Sequence, residues 1–435
     1  MQFYLEYCLI NFIDIVVKRK DRPLKGEITI PSDKSISHRA AMFALLAGGK
    51  VRISNFSKGA DCHSTLGIIK DLGADVQFVD EKTVIVDSSK GIVAPQKPLD
   101  CGNSGTTMRL MSGILAGQNF ESELFGDESL SKRPMKRVIE PLSLMGAKFE
   151  HNDFKAPLKI YPSILKGIEY NSPIASAQIK SAVLLAGLFA DGVTTVIEPY
   201  KSRNHTELML KYLGADIETQ GNKVSIKKSQ LIPKNIEICG DISSAAFFIV
   251  AALIVEDSDI IIKNVGINPT RIGIIDVLKS MNADIEFLNE REVSGEPVCD
   301  LRVRYSELKA TKVEGAIIPR LIDEIPVLVV AATQAEGTTV IKDAQDLRNK
   351  EADRIKAMVQ ELKKLGAELE ETEDGFIVYG KTKLKGGSIH ECYHDHRIAM
   401  SLYVAGLIAE EPIKINEFQW VDISFPEFLE LINKI

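Results

Sequence analysis

One pattern recurs six times along this chain and fixes what it can fold into: a short polar entrance followed by a small-residue, apolar run. The entrances start near Lys34, Asn103, Ser176, Asp241, Asp323 and Asp395, at intervals of 69, 73, 65, 82 and 72 residues. The runs behind them, such as Ala182-Val183-Leu184-Leu185-Ala186-Gly187-Leu188 and Val327-Leu328-Val329-Val330-Ala331-Ala332, are apolar on every side. A helix of that composition has to be buried. A second series interleaves with the first, at 66–76, 138–149, 207–217, 274–285 and 354–369. Each member is an amphipathic helix that ends in Gly-Ala (Asn282 replaces Gly in the fourth) and leads into an alternating segment. Gly or Asn suits the left-handed residue that closes a helix, and the alternation predicts a strand.

A period near 70 is too long for a thin solenoid and long enough for a small α/β unit with its own sheet. Six units in 435 residues predict two domains of three units each. The sixth copy ends in a helix at 426–435 with no strand after it, so the N-terminal strands are expected to complete it. Residues 1–32 then join 241–435 in one discontinuous domain, and 33–240 form the other. The chain crosses between them near Ser32 and Asp241 through short, hinge-like joints. Residues 1–17 are apolar, but Glu6 and Asp14 interrupt them and Lys18-Arg19-Lys20 follow them. That charge order is wrong for a signal peptide; the stretch reads as a strand or an N-terminal extension.

The net charge of −7 argues against nucleic-acid binding through a general basic surface, so an anionic ligand needs a local basic site. No segment approaches the uninterrupted apolar length of a membrane span. Cys8, Cys62, Cys101, Cys239, Cys299 and Cys392 show no CxxC and no metal spacing, which suits reduced thiols in a cytoplasm.

The entrances supply local basic sites. Pro31-Ser32-Asp33-Lys34-Ser35-Ile36-Ser37-His38-Arg39 stands before the apolar run 40–47. The free N–H groups and dipole of a helix start favour an anion there, and Lys34 and Arg39 add full charges. Gly102-Asn103-Ser104-Gly105-Thr106 permits a tight turn with backbone close to a ligand. The loop 126–137 carries Lys132, Arg133, Lys136 and Arg137, and an arginine there could fork onto a carboxylate or phosphate. Ser176-Ala177-Gln178 opens the third apolar run, and Ser202-Arg203-Asn204 opens the amphipathic helix after it. Each of these, taken alone, also reads as ordinary capping or a solvated basic loop, and for Asp241-Ile242-Ser243 the capping reading is favoured. Asp323-Glu324 stands between apolar segments, where desolvation is expected to raise a carboxylate's pKa and suit it to general-base work. In 346–354, Lys350 and Arg354 fall at i, i+4 on one predicted helical face with Glu351 adjacent. His394-Asp395-His396-Arg397 leads the last run; its two histidines lack a third ligand cluster for a metal.

Taken together these stretches resemble the 5-enolpyruvylshikimate-3-phosphate synthases. The match runs over 24–428 through Asp33-Lys34-Ser35-x-Ser37-x-Arg39, Gly102-Asn103-x-Gly105-Thr106, Arg133-Pro134-Met135, Ser176-Ala177-Gln178, Asp323-Glu324, Lys350-Glu351-x-Asp353-Arg354 and Asp395-His396-Arg397. The resemblance implies an α/β (α+β) enolpyruvyl transferase fold: two domains, each of three βαβαββ units about a pseudo-threefold axis, with the active site in the cleft. It implies transfer of the enolpyruvyl group of phosphoenolpyruvate to the 5-hydroxyl of shikimate 3-phosphate, through a tetrahedral intermediate, on the way to chorismate and the aromatic amino acids. Shikimate 3-phosphate would be held by Lys34, Ser35, Arg39, Ser176, Ala177, Gln178, Arg203, Asp323, Asp346 and Lys350. Phosphoenolpyruvate would be held by Lys34, Asn103, Gly105, Arg133, Gln178, Arg354 and Arg397. Asp323 would be the base, with Glu351 and Lys34 as proton donors. The family's implied partners are these two small molecules, with no metal or organic cofactor, no nucleic acid and no membrane, in a cytoplasmic monomer.

The chain departs from many members at Ala177 (often serine), Asp346 (often asparagine) and Ile423 (often lysine). Arg203 is expected to supply a compensating cation, as in the branch with Ser-Ala-Gln. The related UDP-N-acetylglucosamine enolpyruvyl transferases carry a cysteine on the loop matching 120–137, and this loop has none. A non-catalytic or RNA-end-processing protein of the same architecture would show a basic face or lose the acids, and neither pattern is present.

Overall fold

The structure is a computed structural model that describes residues 13–435; the reading of residues 1–12 lies outside the described residues. Its helices in the first half are α1 (Lys34–Leu46), α2 (Ala60–Asp71), α3 (Gly105–Ala116), α4 (Glu128–Lys132), α5 (Lys136–Leu144), α6 (Ala177–Gly187) and α7 (His205–Tyr212). The second half has α8 (Ile242–Ile254), α9 (Gly273–Ser280), α10 (Ile325–Thr333), α11 (Arg354–Lys364), α12 (His396–Gly406) and α13 (Phe428–Lys434). The six apolar runs are α1, α3, α6, α8, α10 and α12. They are buried as their composition requires; in α8 every residue except Ser244 is buried. The amphipathic series forms α2, α5, α7, α9 and α11. The residues that close them are left-handed, with φ of +99° at Gly73 and +72° at Asn282. A side chain with a Cβ strains there, which explains why only Gly or Asn occupies these sites. Gly113 has a different purpose: a Cβ on it would stand 2.2 Å from the Ala182 carbonyl oxygen, so its absence lets α3 and α6 pack backbone to backbone.

Each helix pair brings a small sheet. In the second unit the strand order is Leu99–Asp100, Ser122–Phe125, Lys155–Tyr161, Lys148–Asn152, the first pair parallel and the others antiparallel. Five such four-stranded sheets and one three-stranded sheet occur among the described residues. Three take in strands from far along the chain. Ile236–Glu237 pairs with Lys50–Ser54 in the first unit, and Lys25–Thr29 pairs with Asp259–Gly266 in the fourth. Of the N-terminal strands only Ile15–Val17 joins the sixth unit, antiparallel to Ile413–Ile415. This corrects the expectation that the N-terminal strands together complete that unit. The fourth sheet needs a parallel neighbour on the open edge of Asp259–Gly266, and an unpaired edge there would expose a row of backbone groups.

Buried apolar side chains form two separate clusters. One draws on 36–239 with Val298, and the other on 17–30 and 242–432. The two chain crossings between these lobes run side by side: Ser32 and Gly240 form a β-bridge, the Asp33 N–H donates to the Cys239 carbonyl (2.8 Å) and the Asp241 N–H to the Pro31 carbonyl (2.9 Å).

Candidate active site

The six apolar helices present their starts to one crevice between the lobes. Its wall takes Lys34 and Ser35 from α1, Gly105 and Thr106 from α3, Ala177 and Gln178 from α6, Ser243 and Ser244 from α8, His396 and Arg397 from α12, and Asp323 just ahead of α10. Side-chain caps hold most of these entrances: Asp33 accepts from the Ile36 N–H, Ser104 from Thr107, Asp241 from Ser243 and Asp395 from Arg397. Every residue given a substrate-binding or proton-transfer role by the resemblance lines this crevice except Ser176, which lines an adjoining recess together with Gln178, Arg203, Asp323 and Lys350.

Asp323 is the electrostatic centre. Its carboxylate lies 2.6 Å from Arg203, 3.4 Å from Lys350 and 3.4 Å from Arg354, and its backbone carbonyl accepts from Arg397 at 2.9 Å. Burial pushes its pKa up, yet Lys350, Arg203, Arg397 and Arg354 outweigh burial and hold it well below the ordinary value. The expected rise is therefore corrected: desolvation is present, but four cations occupy the space an apolar setting would have left empty. Glu351 behaves alike. Burial raises its pKa, while Arg354 at 2.6 Å, His396 and Arg133 bring it down further.

The reading of 346–354 as one helix is also corrected. A 3₁₀ turn covers Gln345–Asn349, Lys350 is extended, and α11 begins only at Arg354. Asp353 caps α11 through the Lys356 N–H (3.0 Å) and pairs with Arg348 (2.8 Å). Lys350 and Arg354 still meet, because both converge on Asp323. The loop 126–137 likewise contains the short helix α4, capped by Asp127. It aims the Arg133 guanidinium at Asn103 Oδ1 (2.7 Å) and Ser129 Oγ (3.2 Å).

On the first lobe Arg39 is buried and donates to Thr206 Oγ1 (2.7 Å), Ser181 Oγ (2.8 Å) and the Ser35 carbonyl (3.0 Å). Burial brings its pKa to about 10. The Ser176 N–H donates to Glu198 at 3.0 Å. Asp346 lies 3.7 Å from Arg137 and 3.6 Å from Lys350, so the Arg137 pair spans the crevice.

Two functional-looking partners escaped sequence reasoning. Asp61, on α2, forms an ion pair with Lys34. Burial opposes the charge on Lys34, but Asp61 and Glu351 turn the balance and raise its pKa. Nothing in the pattern of α2 marks Asp61 apart from other polar positions. Arg109 donates to Gln178 Oε1 at 2.8 Å and stands under Gly105, where a Cβ would come within 2.7 Å of its guanidinium. Its spacing of four from Gly105 was the available signal.

Comparison with known proteins agrees over nearly the whole chain. A sequence model of the family described as EPSP synthase (3-phosphoshikimate 1-carboxyvinyltransferase) matches residues 18–432. The 3-phosphoshikimate 1-carboxyvinyltransferase of Petrotoga mobilis is 52% identical over 95% of this chain and 97% of its own length. That of Bacillus subtilis is 53% identical over 96% and 98%. Among solved structures, EPSP synthase from Acinetobacter baumannii superposes with a TM-score of 0.88 at 44% identity, covering 97% of this chain and 98% of that one.

Proposed function

The chain belongs to the EPSP synthase family, and on that basis we propose that it transfers the enolpyruvyl group of phosphoenolpyruvate to the 5-hydroxyl of shikimate 3-phosphate, releasing phosphate. The observation that carries this reading is the gathering of Lys34, Arg39, Arg133, Arg203, Lys350, Arg354 and Arg397 in a single crevice, four of them (Arg203, Lys350, Arg354 and Arg397) on Asp323. Both substrates are phosphorylated carboxylates, and such a site can neutralise several negative charges at once.

Shikimate 3-phosphate is assigned to the side formed by Ser35, Arg39, Ser176, Ala177, Gln178, Arg203, Asp323, Asp346 and Lys350. Phosphoenolpyruvate is assigned to Asn103, Gly105, Arg133, Arg354 and Arg397, with Lys34 and Gln178 between the two. Planar guanidinium groups suit the second set, because they pair with carboxylate and phosphate through two parallel hydrogen bonds.

The 5-hydroxyl attacks C2 of phosphoenolpyruvate and gives up its proton to Asp323, while C3 gains a proton from Glu351 or Lys34. The resulting ketal phosphate then loses the C3 proton and the C–O bond to phosphate, leaving the enol ether. Asp323 is a weak base while four cations share it. Substrate phosphate on Arg203 and substrate carboxylate on Arg354 and Arg397 would draw those charges away and raise its proton affinity. The same exchange frees Glu351 to hold a proton. The base is thus unmasked by the substrates it serves.

One chain supplies both walls of the crevice, which supports a monomer as the working unit. Five cysteines among the described residues are free and buried, which supports a reducing cytoplasm. No described helix is long and apolar enough to cross a membrane. The deciding experiment is phosphate release from phosphoenolpyruvate and shikimate 3-phosphate, run beside Asp323→Ala and with UDP-N-acetylglucosamine as alternative acceptor. Release with shikimate 3-phosphate alone, abolished in the variant, is the expected result; a folded wild type that releases none refutes the assignment.

A further inference from the structure

Arg271 carries a full charge deep in the protein and takes no part in the steps above. It follows Asn268-Pro269-Thr270 in the second lobe, at the level where the chain crosses between lobes. Its side chain is 2% exposed. The guanidinium donates to Asp33 Oδ2 (3.3 Å), Asp241 Oδ1 (3.1 Å) and Ser243 Oγ (2.7 Å), and approaches His205 Nε2 at 3.4 Å. Asp33 and His205 belong to the first lobe, the other two to the second.

The groups it touches stand next to the reacting ones. Asp33 caps α1, whose first residue is Lys34, and the Lys34 N–H donates to Asp241 at 3.2 Å. The Ser243 hydroxyl passes the connection to Glu324, the neighbour of Asp323. A buried ion cluster of this kind is a weak source of stability, since apolar residues of similar volume do as well or better. What it supplies is a fixed geometry between helix entrances that come from the two lobes.

We propose that Arg271 is a positioning residue for the transfer, setting Lys34 and Asp323 in register across the cleft by tying the entrances of α1, α8 and α10 to one point. This rests on the reaction proposed above. The test compares wild type with Arg271→Met, Arg271→Lys and Ser243→Ala, measuring kcat, KM for both substrates and the thermal midpoint of each. A displacement of about 1 Å costs on the order of 100-fold in rate, so Arg271→Met is expected to lose about that much kcat with KM moving far less. Arg271→Lys keeps the charge without the fork and restores part of the loss. Ser243→Ala leaves Arg271 on both aspartates but takes the hydroxyl donor from the buried Glu324 carboxylate, and it is expected to lower kcat by roughly tenfold through the broken link to Glu324. If Arg271→Met does not fold, the lysine and alanine variants decide. Unchanged kcat in both, whatever happens to thermal stability, makes Arg271 structural and overturns the proposal. An inactive but folded wild type overturns the reaction and the positioning role together, whereas an active wild type with unaffected variants removes only the latter.

Discussion

Asp323 holds four cations on one carboxylate and one carbonyl, and this determines what its removal does. Asp323→Asn keeps the shape but gives up the proposed base, so kcat is expected to fall by about 10²–10⁴-fold. The released cations no longer have an internal competitor, so calorimetric titration should find shikimate 3-phosphate binding at least as tight as in wild type. Weaker binding would mean that the carboxylate's own contact with the acceptor outweighs the cations it releases. His38 sets a second expectation. Its ring is buried beside Thr65, and burial brings its pKa from 6.5 to about 3, with Asp61 pulling the other way. The unfolded chain therefore takes up a proton that the folded one refuses, and stability falls as pH drops from 6.5 toward 3. The slope approaches about 1.4 kcal/mol per pH unit for each such histidine. His396 is lowered too, again by burial first and by Arg397 after it. Carboxylates with depressed pKa, such as Asp61 and Asp241, lose their contribution only below about pH 4, so they do not account for a loss above it. Urea midpoints at pH 7 and pH 5 should differ less in His38→Asn than in wild type. At this scale the cations of the entrances were legible, because full charges beside apolar runs stand out in any sequence. Their partners were not: Asp61 and Arg109 matter through contacts that only the folded chain creates, and the same four cations reversed the expected direction at Asp323.

The start of α11 decides where two of the candidate ligands point. A spacing of four fits one helical face, and it fits equally a turn followed by a helix start; the cap at Asp353 selects the second. Asp353→Ala removes the bond to the Lys356 N–H and the ion pair to Arg348, costing about 1 kcal/mol of stability. Because Arg354 is the first residue of the helix, fraying also blurs its guanidinium, and KM for phosphoenolpyruvate should rise more than KM for shikimate 3-phosphate. Equal rises would show that the cap serves stability alone. The closing residues were the most legible elements of the chain, since left-handed backbone admits few residue types. Gly73→Ala tests that argument: φ is +99° and the new Cβ would meet Val93 Cγ2 at 2.9 Å. The expected cost is about 1–2 kcal/mol, read as a lower urea midpoint with kcat unchanged.

The sixfold repeat showed through at the scale of the whole molecule because buried helices and their polar starts must recur wherever the unit recurs. The closing strands did not show. Ile236–Glu237 is two residues long and leaves no alternation to read, and Lys25–Thr29 was assigned to the wrong unit because pairing across more than 200 residues has no local signature. Those crossings also govern how the molecule comes apart. Each lobe buries its own apolar cluster, and the two are joined by the paired crossings, the polar contacts around Arg271 and the ion pairs spanning the crevice. Partly exposed ion pairs such as Arg137–Asp346 contribute about 0–1 kcal/mol, too little to force two cores to melt as one. Without ligand, scanning calorimetry should therefore resolve two transitions, one per lobe. On the proposed assignment, shikimate 3-phosphate together with an unreactive phosphoenolpyruvate analogue would fill a site built from both lobes and absent from either alone. Ligand binding only to the joined form adds about 2.7 kcal/mol at a hundredfold excess over Kd, which both lobes share. The two transitions should then merge and move upward together. A single ligand-free transition would show that the polar hinge couples the lobes more tightly than their separate cores imply, and an upward shift of one transition alone would place both ligands on one lobe.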